Sequence, residues 1–435
     1  MGADISSAKG HMAQEYPMLS VEEALERVLA AFHPLPPERV PVLETLGRVL
    51  AEDVYADTDI PPLANSAMDG YAVRAADTVG ATPEQPVRLR IVHDLAAGYV
   101  SQVAVQPGTA IRIMTGAPVP PGADAVVEFE DTEQTGEWVH IHKAVAQGKN
   151  VRSAGEDVRR GELILPKGTE MRPQEVGMLA ALGHREAWVH RRPRVAILAT
   201  GDEVIEIDAP WQPGKIRNAN SYSNAAQVIR YGGIPLLLGI ARDDIPELTE
   251  RIRSGLGQKA DLLLTSGGVS MGDFDVVKKV LAAEGEMSFW RVRMKPGKPL
   301  AFGQIGGVPL LGLPGNPVSA MVAFELFARP AILKMLGKTR FQKPTIQATL
   351  VDEIQRKDDR RHYLRVMVEE RGGEYLARLT GDQGSGILLS MVRAHGLAVI
   401  PESMRKLPAG ARVTVLMLDW PEMSLPSGGS QVEAG

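Results

Sequence analysis

Arg194-Val195-Ala196-Ile197-Leu198-Ala199-Thr200-Gly201-Asp202-Glu203 is the stretch whose reading decides the fold. Residues 195–199 are all apolar, with no alternation between faces. A short run of that kind suits a strand buried on both sides, as in a parallel sheet flanked by helices. The run then stops at a polar, glycine-containing loop, where a parallel strand hands over to its crossover.

Downstream, the rhythm repeats. A helix is expected from a cap near Asn220 to Gly232-Gly233, then strands at 234–240 and 260–265. After Asp275, Val276, Val277, Val280 and Leu281 recur at helical spacing, and Gly285 closes that helix. Residues 300–304 and 308–313 pair around Gly306-Gly307. Asn316-Pro317 opens a long helix, with Asn as the cap and Pro at the first helical position. The alternation predicts a three-layer α/β domain with a mostly parallel sheet.

Upstream, Ser20-Val21-Glu22-Glu23 has capping-box spacing. Leu25, Val28, Leu29 and Phe32 follow at helical spacing until prolines 34–37 end the helix. A second short helix is expected through Leu43, Leu46, Val49 and Leu50. Residues 58–143 alternate short β-like runs with Gly and Pro, the pattern of a small β module. Beyond Gly337 short strands return, which predicts a C-terminal β domain.

The expected division is a tail at 1–16, where Gly10-His11-Met12 resembles a cloning remnant, and a helical/β linker domain at 17–57 and 144–186. The β module follows at 58–143, the α/β domain at 187–338, the C-terminal β domain at 339–420 and a second tail at 421–435.

The 435 residues carry a formal charge of −5 with no long basic run, which argues against nucleic acid. The absence of cysteine excludes disulfides, thiolate metal sites and cysteine nucleophiles. No apolar run is long enough to span a bilayer, and no signal-peptide pattern is found at the start. The expectation is a cytoplasmic protein without membrane partners.

Candidate chemistry lies in three loops at the carboxyl ends of strands. They are Thr200-Gly201, residues 266–273 with Ser266, Gly267, Gly268 and Ser270, and Pro314-Gly315-Asn316-Pro317. Taken singly, each reads as a tight turn. On one sheet edge together they predict an anion pocket, because glycines admit close approach and helix starts offer free N–H groups. No Walker A loop and no G-x-G-x-x-G follows a strand. Lys295 and Lys298, three apart between prolines, suit a dianion such as phosphate or molybdate. Glu203, Asp243, Asp273 and Asp275 fall in or beside the same loops and are candidate Mg²⁺ ligands.

Asn65-Ser66-Ala67-Met68-Asp69-Gly70-Tyr71, Met114-Thr115-Gly116-Ala117-Pro118, Lys295-Pro296-Gly297-Lys298-Pro299 and Pro314-Gly315-Asn316-Pro317 occur in this order. In that order they resemble the molybdopterin molybdenumtransferase family: bacterial MoeA proteins and the E domains of gephyrin and the plant cofactor-assembly proteins. The resemblance runs from about Leu19 to about Leu418. It implies a homodimer with four domains per subunit, acting on adenylylated molybdopterin and molybdate with Mg²⁺, and releasing AMP. It implies catalytic roles for Asp69, Thr115, Glu203, Asp243 and Asp275, with Asp69 and Thr115 reaching the cleft of the other subunit. Lys298, Ser319, Arg365 and Ser385 stand at positions similar to the family's oxyanion site, with Arg361 competing with Arg365. Asp359 and His395 depart from the glycine and asparagine that relatives usually carry there. Molybdopterin synthase, the adenylyltransferase and recipient molybdoenzymes are the partners implied. Two alternatives are weighed against this activity: a molybdopterin adenylyltransferase and a gephyrin-like scaffold.

Overall fold

The structure, a computed structural model, describes residues 17–242, 244–267, 280 and 285–419. These divide into two compact units. One takes the described residues of Met1–Glu38, Gly47–Val49 and Val189–Gly435, and the other those of Arg39–Leu46 and Leu50–Trp188.

In the first unit, a seven-stranded sheet runs in the order Met18–Leu19, Gly285–Val292, Pro299–Ile305, Val308–Leu313, Leu262–Ser266, Arg194–Thr200, Ile234–Ala241. The last four strands are mutually parallel. The strands Gly285–Val292, Pro299–Ile305 and Val308–Leu313 pair antiparallel in succession. Residues 195–200 are buried throughout, and successive side chains face opposite sides of the sheet. Val195 and Ile197 pack into one apolar cluster and Ala196 and Leu198 into another, so both faces of the sheet are covered. Ala199 pairs with Ser266 and Ser266 with Leu313, which sets three strand ends level on one edge.

The helix Val21–Ala30 starts at the expected capping box. The Glu23 amide donates to Ser20 Oγ (3.1 Å), and the Ser20 amide donates back to Glu23 Oε2 (2.8 Å). Behind Asn316, the helix Pro317–Ala323 widens into a π turn at Phe324–Ala328 and continues as Arg329–Met335.

The C-terminal sheet of this unit follows the order Met294–Lys295, Arg361–Arg371, Glu374–Leu379, Thr345–Leu350, Arg412–Met417, Gly396–Ile400. Its last strand pairs back onto Arg361–Arg371, which closes it into a barrel-like form. The link to the α/β sheet is direct: Met294 pairs with Arg361 and Lys295 with His362. That register carries the lysine segment to the barrel wall.

The second unit holds a six-stranded sheet ordered Ala125–Glu128, Gly70–Val73, Thr109–Ile113, Val87–Leu95, Trp138–Ile141, Thr132–Thr135. Tyr71, Val73, Leu89 and Val127 pack on one face, and Ala72, Ile111, Ile113 and Val126 on the other. The helix Pro173–Ala181 also lies in this unit.

Several local expectations are corrected. Leu43 to Leu50 is not a helix but a single 3₁₀ turn, Val42–Thr45, which ends where Leu46 turns extended and Gly47 takes φ +75°. The cap expected near Asn220 for the helix Ala219–Arg230 is Asn218, whose Oδ1 accepts from the Ser221 amide (3.2 Å). Asn316 occupies the cap position of its helix, yet its side chain makes no capping bond. Among the strands that gave no strand reading in the sequence are Gly70–Val73, Thr132–Thr135, Gly285–Val292 and Gly396–Ile400. The helix expected after Asp275 lies outside the described residues except for Val280, which is helical and buried.

Candidate functional site

The level strand ends build a cleft of about 540 Å³. Thr200, Glu203, Ser266, Gly267, Gly315, Asn316 and Pro317 line it, so all three loops contribute. Gly201 borders the adjoining depression, and Pro314 is buried behind the last loop. Gly267 takes φ +97°, and a Cβ there would lie 2.7 Å from the Thr200 carbonyl oxygen, so only glycine lets these two loops approach. Asn220, two residues past the helix cap, donates from Nδ2 to the Gly315 carbonyl (2.7 Å) and so holds the helix start against the third loop.

Gly268, Ser270, Asp243, Asp273 and Asp275 lie outside the described residues. Of the candidate metal ligands the structure therefore places Glu203, which is exposed at the cleft. A Cβ on Gly201 would meet its carboxylate at 2.5 Å. The bare glycine is the cradle in which those oxygens rest. Among the described residues no group of three or more His, Cys, Asp or Glu side chains forms a metal cluster.

A second cavity, of about 700 Å³, opens between the α/β sheet and the barrel. Lys295, Lys298, Ser319, Arg365 and Ser385 all line it. The two β-pairs between the sheets explain the meeting: Lys295 sits beside His362, and Arg365 follows three residues along that strand.

The cations here differ in what already neutralises them. Asp358 lies 3.8 Å from Lys295, 2.8 Å from Arg360 and 2.9 Å from His362, which it anchors. Its hydrogen bonds to Arg360 and His362 hold its carboxyl well below the usual range. Arg356 donates to the backbone carbonyls of Pro401, Glu402 and Met404. Arg361 is paired with Glu22 and Glu402 and does not line the cavity, which removes it as a rival to Arg365 at this wall. Lys298 and Arg365 pair with no carboxylate among the described residues. Arg365 is 1% exposed, and burial pulls its pKa down to about 10, with Asp382 acting in the opposite direction. It is therefore a cation at neutral pH whose lost hydration an entering anion would offset.

His395, one of the two departures from the family pattern, accepts from the Val368 amide at Nδ1 (3.1 Å) and serves strand geometry instead of the cavity. The sequence reading passed over His362, Gln383 and Arg360 as cavity walls. No periodicity marks them, because residues 362–366 of the strand Arg361–Arg371 are buried without alternation.

In the second unit, Gly70 pairs with Ile113 and Glu128, and this register sets the 69 and 115 positions side by side. The Thr115 amide and hydroxyl both donate to Asp69 Oδ1, at 2.7 and 2.8 Å. Those two bonds hold the Asp69 carboxyl below its ordinary range, so it is ionised at neutral pH.

Comparison with known proteins agrees along the chain. The family model described as MoeA N-terminal region (domain I and II) matches residues 19–183. That of a probable molybdopterin binding domain matches 196–334, and that of the MoeA C-terminal region (domain IV) matches 347–418. Molybdopterin molybdenumtransferase 2 of Mycobacterium tuberculosis is 38% identical over 404 residues, covering 92% of this chain and 99% of that protein. The molybdopterin molybdenumtransferase of Bacillus subtilis is 34% identical over 421 residues, covering 94% and 98%. The crystal structure of the molybdopterin biosynthesis MoeA protein from Pyrococcus horikoshii superposes with a TM-score of 0.78 at 33% identity, covering 92% of this chain and all 100% of that one.

Proposed function

The chain belongs to the molybdopterin molybdenumtransferase family, and from that membership we infer that it is a transferase inserting molybdenum into molybdopterin. The observation that supports a detailed reading is the pair of adjoining sites in the first unit. A glycine-lined cleft suits the phosphate end of a pterin, and the cavity beside it carries Lys298 and Arg365.

In this reading the substrates are adenylylated molybdopterin and molybdate. Loop N–H groups and the helix start behind Asn316 receive the phosphates in the cleft. Molybdate is a tetrahedral dianion. Lys298 and Arg365 supply charge, and Ser319 and Ser385 supply hydroxyl donors, all from walls of one cavity. Water adds across the phosphoanhydride, which releases AMP and leaves the pterin its terminal phosphate, and the two dithiolene sulfurs bind the metal as one molybdate oxygen leaves as water with the two thiol protons.

A divalent cation belongs to the proposal. Glu203, a hard oxygen donor resting over Gly201 at the cleft, fits one position of a Mg²⁺ shell. When bound, Mg²⁺ supplies charge against the developing phosphate oxyanion. The remaining ligands proposed from the sequence are Asp243, Asp273 and Asp275.

The proposal further takes the protein as a cytoplasmic homodimer of four-domain subunits, in which Asp69 and Thr115 serve the partner's cleft. No helix among the described residues is long and apolar enough to cross a membrane.

The test is metal insertion with purified protein, adenylylated pterin, molybdate and Mg²⁺. Cofactor formation with AMP release supports the reading. Robust adenylylation of molybdopterin from ATP, without metal insertion, would favour the adenylyltransferase alternative.

A further inference from the structure

Arg365 is aimed by neutral groups. Its Nε donates to Ser390 Oγ over 3.1 Å, and its Nη2 donates to the Gly384 carbonyl over 3.2 Å. The backbone is clamped as well. The Arg365 amide donates to Gln383 Oε1 (2.8 Å), while its carbonyl accepts from Gln383 Nε2 (3.2 Å) and from the Thr380 amide (3.1 Å). Ser390 is 2% exposed and does not line the cavity. Its hydroxyl proton is committed to the Ile387 carbonyl at 2.7 Å, so toward Arg365 the oxygen only accepts.

The chemistry of that choice is specific. A carboxylate at 390 would orient the guanidinium equally well but would neutralise it. A serine whose proton is already directed elsewhere fixes the fork and leaves its charge for a ligand. Gln383 borders the cavity, so its effects would mix contact with orientation, whereas Ser390 does not line the cavity and bonds the guanidinium directly.

We infer that Ser390 is a positioning residue that directs the Arg365 guanidinium into the oxyanion cavity, an inference resting on the reading of that cavity as the molybdate site.

The experiment measures the molybdate concentration for half-maximal metal insertion at saturating adenylylated pterin, in full-length wild type, Ser390→Ala, Arg365→Ala and the double variant. Ser390→Ala should raise that concentration about fivefold to tenfold, the scale of one hydrogen bond to a charged group. The rise should exceed any change in maximal rate, and pterin affinity should hold. In the Arg365→Ala background the same substitution should add nothing, because the group it orients is gone. Ser390→Cys fills the same space with a weak acceptor and should behave like Ser390→Ala, which covers the case of an unstable alanine variant. An unchanged molybdate dependence in both Ser390 variants overturns the inference. So does an equal rise with and without Arg365. If Arg365→Ala itself keeps the wild-type dependence, the molybdate reading of the cavity fails together with the inference; if only the Ser390 variants fail, that reading stands.

Discussion

Asn316 donates from Nδ2 to the Ser385 hydroxyl oxygen over 3.1 Å. Asn316 lines the glycine-loop cleft and Ser385 lines the cationic cavity, so this bond joins the two halves of the proposed site. A second bond runs beside it, from the Val318 amide to the Ser385 carbonyl (3.1 Å). Asn316→Ala should weaken both pterin and molybdate, each by up to about tenfold, since a neutral hydrogen bond contributes roughly 0.5–1.5 kcal/mol. Separate titrations of the two substrates check this, and an effect confined to one substrate would break the link.

Lys298→Ala and Arg365→Ala should act on molybdate alone. A charged hydrogen bond contributes about 1.5–3 kcal/mol, which is roughly tenfold or more in affinity. Sulfate and tungstate, of the same shape and charge, should compete in the wild type and raise its melting temperature by binding the folded state. That rise should vanish in Arg365→Ala. If both variants keep the wild-type molybdate dependence, Lys295 is the next cation to test.

Glu203→Ala should increase the Mg²⁺ needed for half-maximal turnover and lower the maximal rate, with the melting temperature nearly unchanged because Glu203 is exposed. An unaltered Mg²⁺ titration would reduce Glu203 to a loop residue.

Asp69→Ala and Ser319→Ala should each inactivate a homodimer. If the cleft is shared between subunits, mixing the two variants should restore activity to a fraction of the dimers, each with one intact site. Subunit exchange is verified by tagged pull-down. No recovery despite exchange would place Asp69 and Ser319 in the same subunit's site.

His362 gives a pH dependence of known sign. Burial lowers its pKa below the ordinary histidine value of 6.5, against the opposing pull of Asp358, while Arg356 and Lys295 act with burial. As pH falls below 6.5, the unfolded chain takes up the proton first, so folding stability declines from there toward the lower folded pKa. Above that window this group contributes no slope. Urea melts of wild type and His362→Gln across pH 5–8 test it; the wild type should lose more stability on acidification, and parallel curves would exclude His362 as the source.

Much of this was legible along the chain. The apolar run Val195–Ala199, ended by Thr200-Gly201, announced a buried parallel strand because both of its faces had to leave water. Ser20 and Glu23 announced a helix start because that chemistry lies within four residues. Lys298, Ser319, Arg365 and Ser385 were singled out by motif resemblance, and the loops by composition. What lay outside the reach of a linear reading was decided between residues far apart. The pairing of Lys295 with His362 brings two sheets to one cavity, and partnering with Glu22 and Glu402 withdraws Arg361 from the choice. Asn316 occupies the cap position but makes no capping bond, and its Nδ2 bridges instead to Ser385, a residue 69 positions along the chain. The sequence determined which groups carry charge and which segments bury apolar surface. Only the tertiary structure decided which of those charges stay uncompensated, since that depends on the carboxylates folding brings alongside each cation.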